Sequence, residues 1–146
     1  MQSMQTFLPY KSFVRCAKVL DNKRLGKQRV ETYQILRTLA GQTHGWLPHP
    51  AVKMWRGYES ALARYGVAMC DEWVRRGFRD ALREKIAAYD RGEVALPPWL
   101  GSRRLHRSHQ SNLVRKDARH YRRWFANVPD DLPYVWPAGT AEARGR

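Results

Sequence analysis

Residues 49–77 read HPAVKMWRGYESALARYGVAMCDEWVRRG and carry the most regular apolar pattern of the chain. Large apolar side chains recur there at steps of three or four residues, which is the spacing of one face of an α-helix. They are Ala51, Trp55, Tyr58, Leu62, Tyr65, Met69 and Trp73. Pro50 suits the first helical position and Gly77 suits the end of a helix. The pattern predicts one helix of about 26 residues whose apolar face is buried.

Shorter helical patterns flank this segment on both sides. The predicted helices cover residues 13–20, 22–40, 78–89, 103–116 and 117–125. Ser12, Asp21 and Ser102 each stand where a side-chain oxygen can cap a helix N-terminus, and Gly41 can end the second helix. No stretch alternates between apolar and polar residues as a half-buried strand does. These patterns predict an all-α fold.

The expected organisation is a single compact multi-helix domain over residues 1–137. It closes with an extended aromatic tail, NVPDDLPYVWP, at residues 127–137. The last stretch, 138–146, reads AGTAEARGR and is expected to be disordered. We expect the protein to be a monomer.

The charge of the chain indicates its partner. Lys and Arg number 27 against 13 Asp and Glu, a net charge of +14. The basic residues concentrate in two segments, 11–29 and 103–123, each with a single acidic residue. Such a charge repels itself in a folded domain, and a polyanion neutralises it. We expect the two segments to converge on one groove that binds duplex DNA.

Other classes of protein fit less well. No apolar run approaches the 18 residues of a membrane-spanning helix, and the N-terminus lacks the apolar core of a signal peptide. Cys16 and Cys70 are too few and too far apart for a disulfide framework or a zinc site. We expect a cytoplasmic, nucleoid-associated protein with no membrane partner, no metal and no cofactor.

The groups suited to chemistry gather in residues 20–31, LDNKRLGKQRVE. On a helix, residues four apart share a face, so the segment places several cations beside its carboxylates. Neighbouring cations hold a carboxylate ionised, which is what the stabilisation of a cationic intermediate requires. His106 and His109 are three residues apart on the second basic segment, and His49 stands at the positive end of the predicted long helix, where anions bind.

A set of motifs resembles the pyrimidine-dimer DNA glycosylase (phage endonuclease V) family over most of residues 4–137. The motifs are LDNKRLGKQRVE, HPAVKMWRGYESAL with CDEWVRRGF, and PPWLG with LHRSHQSNLVRKD. The resemblance implies a compact all-α enzyme that flips a base out of UV-damaged duplex DNA. The implied reaction begins when an amine of the protein attacks C1′ of the sugar and forms a Schiff base, assisted by a carboxylate. The strand is then cut at the abasic site without a metal ion.

The resemblance also implies roles for individual residues. Its nucleophile is the amine of the chain's own N-terminus, which here falls to Met4, or to Met1. Its catalytic glutamate directly follows an arginine that aligns with Arg24, but Leu25 stands there, so the carboxylate is supplied by Asp21 or Glu31, or is absent. The predicted catalytic residues are therefore Met4, Asp21, Arg24 and Glu31. The predicted DNA-binding residues are Lys23, Lys27, Gln28, Arg29, His49, His106, His109, Arg115 and Lys116, with the last four forming the opposite wall.

Two other functions remain open at this level. A non-catalytic module that recognises or bends damaged DNA would bind tightly and in a salt-sensitive way without cutting the strand. An RNA-binding protein would prefer structured RNA in direct competition. A DNA-repair glycosylase with AP-lyase activity is the function that the motifs favour.

Overall fold

The computed structural model describes residues 4–45 and 48–137. This part of the chain folds into one compact domain of seven helices and contains no strand, which confirms the predicted all-α class. The helices are α1 (Phe13–Val19), α2 (Asn22–Leu39), α3 (Pro50–Lys53), α4 (Glu59–Arg75), α5 (Arg83–Ala87), α6 (Arg103–Lys116) and α7 (Ala118–Tyr121). Met1 and residues 138–146 lie outside the described residues, as do the predictions made for them.

The local signals at the helix ends are confirmed. The side chains of Ser12, Asp21 and Ser102 each accept a hydrogen bond from the backbone N–H three residues on, and so cap α1, α2 and α6. Gly41 follows α2 with a φ of 80°, a left-handed conformation that glycine adopts without strain.

The prediction of a single long helix from Pro50 to its end at Gly77 is wrong. The chain forms the short helix α3, turns, and starts α4 at Glu59. Gly57 has a φ of 89° and Tyr58 is also non-helical, so the backbone reverses its course between the two helices. Trp55 and Tyr65 are nevertheless both fully buried. Apolar residues continue to recur every three or four positions across the turn, so the sequence pattern does not show where the helix ends.

Two other predicted helices are shorter than expected. Within 78–89 only α5 is helical, because the Asp80 carboxylate accepts hydrogen bonds from the backbone N–H groups of Leu82 and Arg83 and shapes a turn before it. Within 117–125 only the four residues of α7 are helical.

The core forms where α4 packs against α1, α2 and α5. Gly66 on α4 lies at the tightest point. A Cβ there would approach Thr32 Cγ2 to 2.6 Å and Ile86 Cγ2 to 2.9 Å. Because real Cβ atoms do not come so close to other atoms, the helices can approach to this distance only with glycine at this position.

The N-terminal segment, residues 4–10, is held against α6 by buried polar side chains. The backbone N–H of Leu8 donates to His109 Nδ1 at 2.9 Å, and the Leu8 carbonyl oxygen lies 2.7 Å from His106 Nδ1. Gln110 Nε2 donates to the carbonyl oxygen of Pro9 at 2.8 Å. One face of α6 therefore satisfies the backbone of an extended segment that belongs to no sheet.

These contacts give His106 and His109 a role other than the expected contact with DNA. Both side chains are buried, because α6 turns the face that carries them towards the N-terminal segment. Burial lowers the pKa of both histidines, and that of His109 falls to about 3, with His106 contributing to that fall. A buried neutral imidazole in this position is a structural hydrogen-bonding group.

The extended aromatic tail lies on the same helix. The backbone N–H groups of Leu132 and Val135 donate to Ser111 Oγ and Ser108 Oγ on α6. The Tyr134 ring stacks on His109 at 4.6 Å between centroids. The tail thus lies along α6. None of the helices in the described part of the chain is long and apolar enough to cross a membrane.

Gly66→Ala should destabilise the protein by about 1–3 kcal/mol, because the new methyl group overpacks the contact between α4, Thr32 and Ile86. Chemical denaturation followed by circular dichroism measures the loss. Gly45→Ala is the matched control, since among the described residues no atom outside its own chain neighbours lies within 4 Å of a Cβ built there. Equal effects of the two substitutions would contradict this account of the core.

His109 should make the stability of the fold fall in acid. Its pKa is about 3 in the folded state against 6.5 for an ordinary histidine, so the unfolded chain binds a proton that the folded chain does not. The contribution is complete above pH 6.5 and is lost as the pH falls towards 3. His109→Gln should reduce the slope of unfolding free energy against pH by up to about 1.4 kcal/mol per pH unit.

Denaturation of wild type and variant between neutral and mildly acid pH measures that slope, which is independent of any constant loss of stability in the variant. His44→Gln, at an exposed position, should leave the slope unchanged. A wild-type slope retained in His109→Gln would show that another group causes the acid sensitivity.

Candidate active site

The side chain of Gln28 positions the N-terminal segment over α2. Its Oε1 accepts from the backbone N–H of Phe7 at 3.0 Å, and its Nε2 donates to the carbonyl oxygen of Gln5 at 2.9 Å. The buried Tyr65 hydroxyl lies 2.6 Å from the same Oε1. Gln28 is 1% exposed and lines the smaller cavity, and its hydrogen bonds go to the protein's own backbone and to Tyr65.

Glu31 lies three residues further along α2, beside the start of this segment. Its Oε1 accepts from the backbone N–H of Gln5 at 3.2 Å, and its Oε2 lies 4.0 Å from Lys27 Nζ. Burial raises the pKa of Glu31, against the opposing effects of the Gln5 N–H, Lys27 and Lys116. This carboxyl therefore keeps its proton to a higher pH than an ordinary glutamate and can act as an acid as well as a base.

Glu31 is part of the lining of two cavities. The larger has a volume of about 620 Å³, and the smaller of about 150 Å³. Both are lined by Lys23, Lys27 and Glu31. Met4 and Glu31, two of the predicted catalytic residues, both line the larger one. In this chain the Met4 nitrogen is part of a peptide bond.

The smaller cavity joins the two basic segments. Lys23, Arg24 and Lys27 come from α2, and Lys116 comes from the last turn of α6. Four cations thus surround a space that also contains the Glu31 carboxyl. An arrangement of this kind attracts a phosphate group and excludes other cations.

Asp21, the other candidate carboxylate, is engaged elsewhere. It caps α2, accepts from Arg24 Nη1 at 3.0 Å and accepts a short hydrogen bond from the Tyr121 hydroxyl. Burial would raise the pKa of Asp21, but the hydrogen bonds from Tyr121 and Arg24 outweigh it and lower that pKa. Asp21 lines neither cavity, so the geometry makes it a residue that holds Arg24 and the helix start.

Three other predicted DNA-binding residues are already paired within the protein. Arg29 forms an ion pair with Asp80 at 2.6 Å and has only 11% of its side chain exposed. His49 caps α3 by accepting from the Ala51 N–H at 2.9 Å. Arg115 is exposed on α6 and donates to the carbonyl oxygen of Asp130. Arg29 lines the larger cavity, whereas His49 and Arg115 line neither.

The sequence analysis assigned Trp73 to the core, but it forms a wall of the larger cavity. Its ring stacks on Phe78 at 4.2 Å, and the Arg29 guanidinium lies over it at 4.8 Å. Gly26 on α2 makes room for it, since a Cβ there would come within 2.9 Å of the indole ring. A glycine inside an otherwise well-formed helix was the only sequence signal of this close approach.

Within residues 4–45 and 48–137, no three His, Cys, Asp or Glu side chains are grouped so that they could hold a metal ion. The groups that the cavities do present are a carboxyl with a raised pKa, several cations and one aromatic wall.

Residues 4–85 match the model of a protein family described as pyrimidine dimer DNA glycosylase. The matched stretch contains every residue that lines the two cavities except Lys116. The chain has no significant match among curated proteins or among solved structures.

Proposed function

This chain belongs to the pyrimidine dimer DNA glycosylase family, and from that premise we propose that it excises a base of a pyrimidine dimer from UV-damaged duplex DNA and then nicks the abasic strand. The second step is an AP-lyase reaction through a protein amine and needs no metal ion. We further propose that the enzyme acts as a monomer on the DNA of the nucleoid.

The position and protonation of Glu31 are the observation that carries this proposal. Its carboxyl is half-buried and lines two cavities, and burial raises its pKa. Departure of a base from C1′ requires a proton for the base and a negative charge near the sugar as cationic character develops there. A carboxyl that first donates a proton and then remains as a carboxylate supplies both.

The cations around Glu31 support the assignment to DNA. Lys23, Arg24 and Lys27 can each contact a backbone phosphate, which would position the sugar of the damaged nucleotide over the carboxyl. The resemblance assigns the attacking amine to the N-terminus. If Met4 were the first residue, its α-amine would lie one residue from the contact between Gln5 and Glu31.

Glu31→Gln should reduce base excision by at least about 10²-fold, because the amide can neither donate the proton nor carry the negative charge. The measurement is single-turnover release of the dimer base from a duplex with one cyclobutane pyrimidine dimer. Duplex binding should change little in the same variant.

Asp21→Asn is the matched substitution, since asparagine also caps helices. It should leave excision within a few-fold of wild type and act mainly on stability. Loss of excision in Asp21→Asn but not in Glu31→Gln would make Asp21 the carboxylate. Binding to damaged duplex without any excision by wild type would identify a non-catalytic damage-recognition module.

Lys23→Ala should weaken binding to duplex DNA and make the plot of log K against log salt less steep by about 0.9, the effect of one lost phosphate contact. Fluorescence anisotropy with a labelled duplex, repeated over a range of salt concentrations, measures the slope. Lys85→Ala on α5 removes an exposed lysine that lines neither cavity, so it should leave the slope as in wild type. Equal slopes for Lys23→Ala and wild type would show that Lys23 does not contact a DNA phosphate.

A further inference from the structure

The turn that follows α7 presents Trp124 to solvent. With 47% of its side chain open, Trp124 is the most exposed aromatic residue among those that the structure describes. Its backbone N–H donates to the carbonyl oxygen of Tyr121 at 3.0 Å. The next residue, Phe125, is buried, and its ring lies 6.3 Å from that of Tyr121 and 5.8 Å from that of Tyr10 between centroids. The turn is therefore anchored on the side away from the indole.

Arg122 fixes the rest of this turn. Its Nη1 donates to the carbonyl oxygens of Phe125, Ala126 and Val128 at 3.2, 3.1 and 2.6 Å. The indole of Trp124 thus projects from a backbone that is already held by hydrogen bonds and by packing. A ligand that covers an indole placed in this way spends little free energy on ordering the protein.

Three exposed arginines lie around the indole. Arg123 Nε donates to the carbonyl oxygen of His120 at 3.2 Å, and its guanidinium carbon lies 5.9 Å from the indole centroid. Arg119 is four residues earlier in the same helical stretch, so the two side chains share a face. Arg15 lies over the Tyr10 ring at 3.9 Å, and Tyr10 packs on the same turn. Among the described residues, no carboxylate lies within 4.0 Å of these three guanidinium groups.

This Trp124 surface, formed by Arg15, Arg119, Arg123 and Trp124, adjoins the smaller cavity. α7 starts after a single residue beyond Lys116, and most of the chain from there to Trp124 is helix or turn, so the two lie on the order of 10 Å apart. The Tyr121 hydroxyl accepts from the backbone N–H of Asp21 at 3.0 Å, which holds α7 against the start of α2. A duplex over the cavity extends past Trp124, since one turn of DNA is about 34 Å long.

DNA offers a partner for each component of the Trp124 surface. Guanidinium groups pair with backbone phosphates, and the face of an indole stacks on a base of any sequence. A base inside an intact duplex is already stacked on both sides and is not available to the indole. Extrusion of a damaged nucleotide, which excision of a base requires, leaves neighbouring bases without a stacking partner.

We infer that the Trp124 surface is a second DNA contact, in which Trp124 stacks on a base left unstacked beside the lesion while the arginines bind phosphates of the flanking DNA. This inference rests on the proposed function and assigns to Trp124 a part in distinguishing damaged from intact duplex. It places that discrimination outside the stretch that matches the family model, residues 4–85.

The test compares two labelled duplexes by fluorescence anisotropy, one intact and one with a single tetrahydrofuran abasic analogue, which has no base to release. Trp124→Leu keeps an apolar side chain without a π face and should weaken binding to the second duplex about 10-fold. Its affinity for the intact duplex should stay within about two-fold of wild type. Trp124→Phe, which keeps a π face, should retain most of the preference. Leu96→Ala removes another exposed apolar side chain, 48% open, and is the matched control.

The phosphate contacts have a separate signature. Arg119→Ala should make the plot of log K against log salt less steep by about 0.9 on both duplexes, because a phosphate contact carries no information about damage. The ratio of the two affinities should remain that of wild type.

The stacked base can be located directly. 2-Aminopurine, placed at successive positions on either side of the abasic analogue, should be quenched at one position by wild-type protein. Trp124→Leu should abolish that quenching, and Leu96→Ala should retain it.

The outcomes separate this inference from the proposed function, which is followed by release of the base from a dimer-containing duplex. Excision of the dimer base with equal affinities of Trp124→Leu and wild type for the abasic-analogue duplex overturns the inference alone. Equal weakening on both duplexes, or a wild type that prefers neither, also overturns the stacking assignment. Wild-type protein that binds neither duplex and releases no base overturns both. A loss confined to the abasic-analogue duplex, together with lost quenching, supports the inference.

Discussion

Buried side chains on two helices, α2 and α6, form hydrogen bonds with the backbone of the N-terminal segment. Gln28 on α2 binds Gln5 and Phe7, and the α6 histidines bind Leu8. An extended segment outside any sheet leaves backbone polar groups to be satisfied, and burying them unpaired would cost about 1–3 kcal/mol each. The same hydrogen bonds fix where the segment meets Glu31, so the stability of this region and the environment of the carboxyl have a common origin.

At the candidate active site, burial raises the pKa of a carboxyl while neighbouring cations and hydrogen bonds lower it. The net shift differs between Asp21 and Glu31. Burial dominates at Glu31 and keeps its proton more firmly bound, whereas hydrogen bonds dominate at Asp21 and keep it ionised. The two carboxyls of one basic helix segment thus acquire different chemistry. Burial also lowers the pKa of Lys116 across the smaller cavity, and the neighbouring cations Arg24, Arg115 and Lys27 lower it further.

The sequence analysis succeeded where the determining contacts are local. The caps at Ser12, Asp21 and Ser102 act over three residues and could be predicted from the sequence. It failed at Gly57, because residue spacing continues through a turn.

The burial of Gln28, His106 and His109 could not be predicted either. A polar residue in a basic helix has the sequence pattern of an exposed residue. The hydrogen-bond partners of these three side chains are backbone groups of a segment that is distant in the sequence. That Trp73 forms a wall of the larger cavity could not be predicted either. The position of its ring depends on how α2 and α4 pack against each other. The candidate site could therefore be narrowed to residues 20–31 with Lys116 facing them, but the packed structure was needed to show that His106, His109 and Arg115 line neither cavity.

The hydrogen bond between Leu8 and His109 spans 101 positions of the chain. During synthesis the N-terminal segment leaves the ribosome first, yet its partners on α6 are made only near the end. Long-range contacts of this kind also form late in folding, because the loop between them must close first. A nascent chain thus carries the basic α2 before α6 exists, and the four cations of the smaller cavity come together only when the last third of the chain has been made.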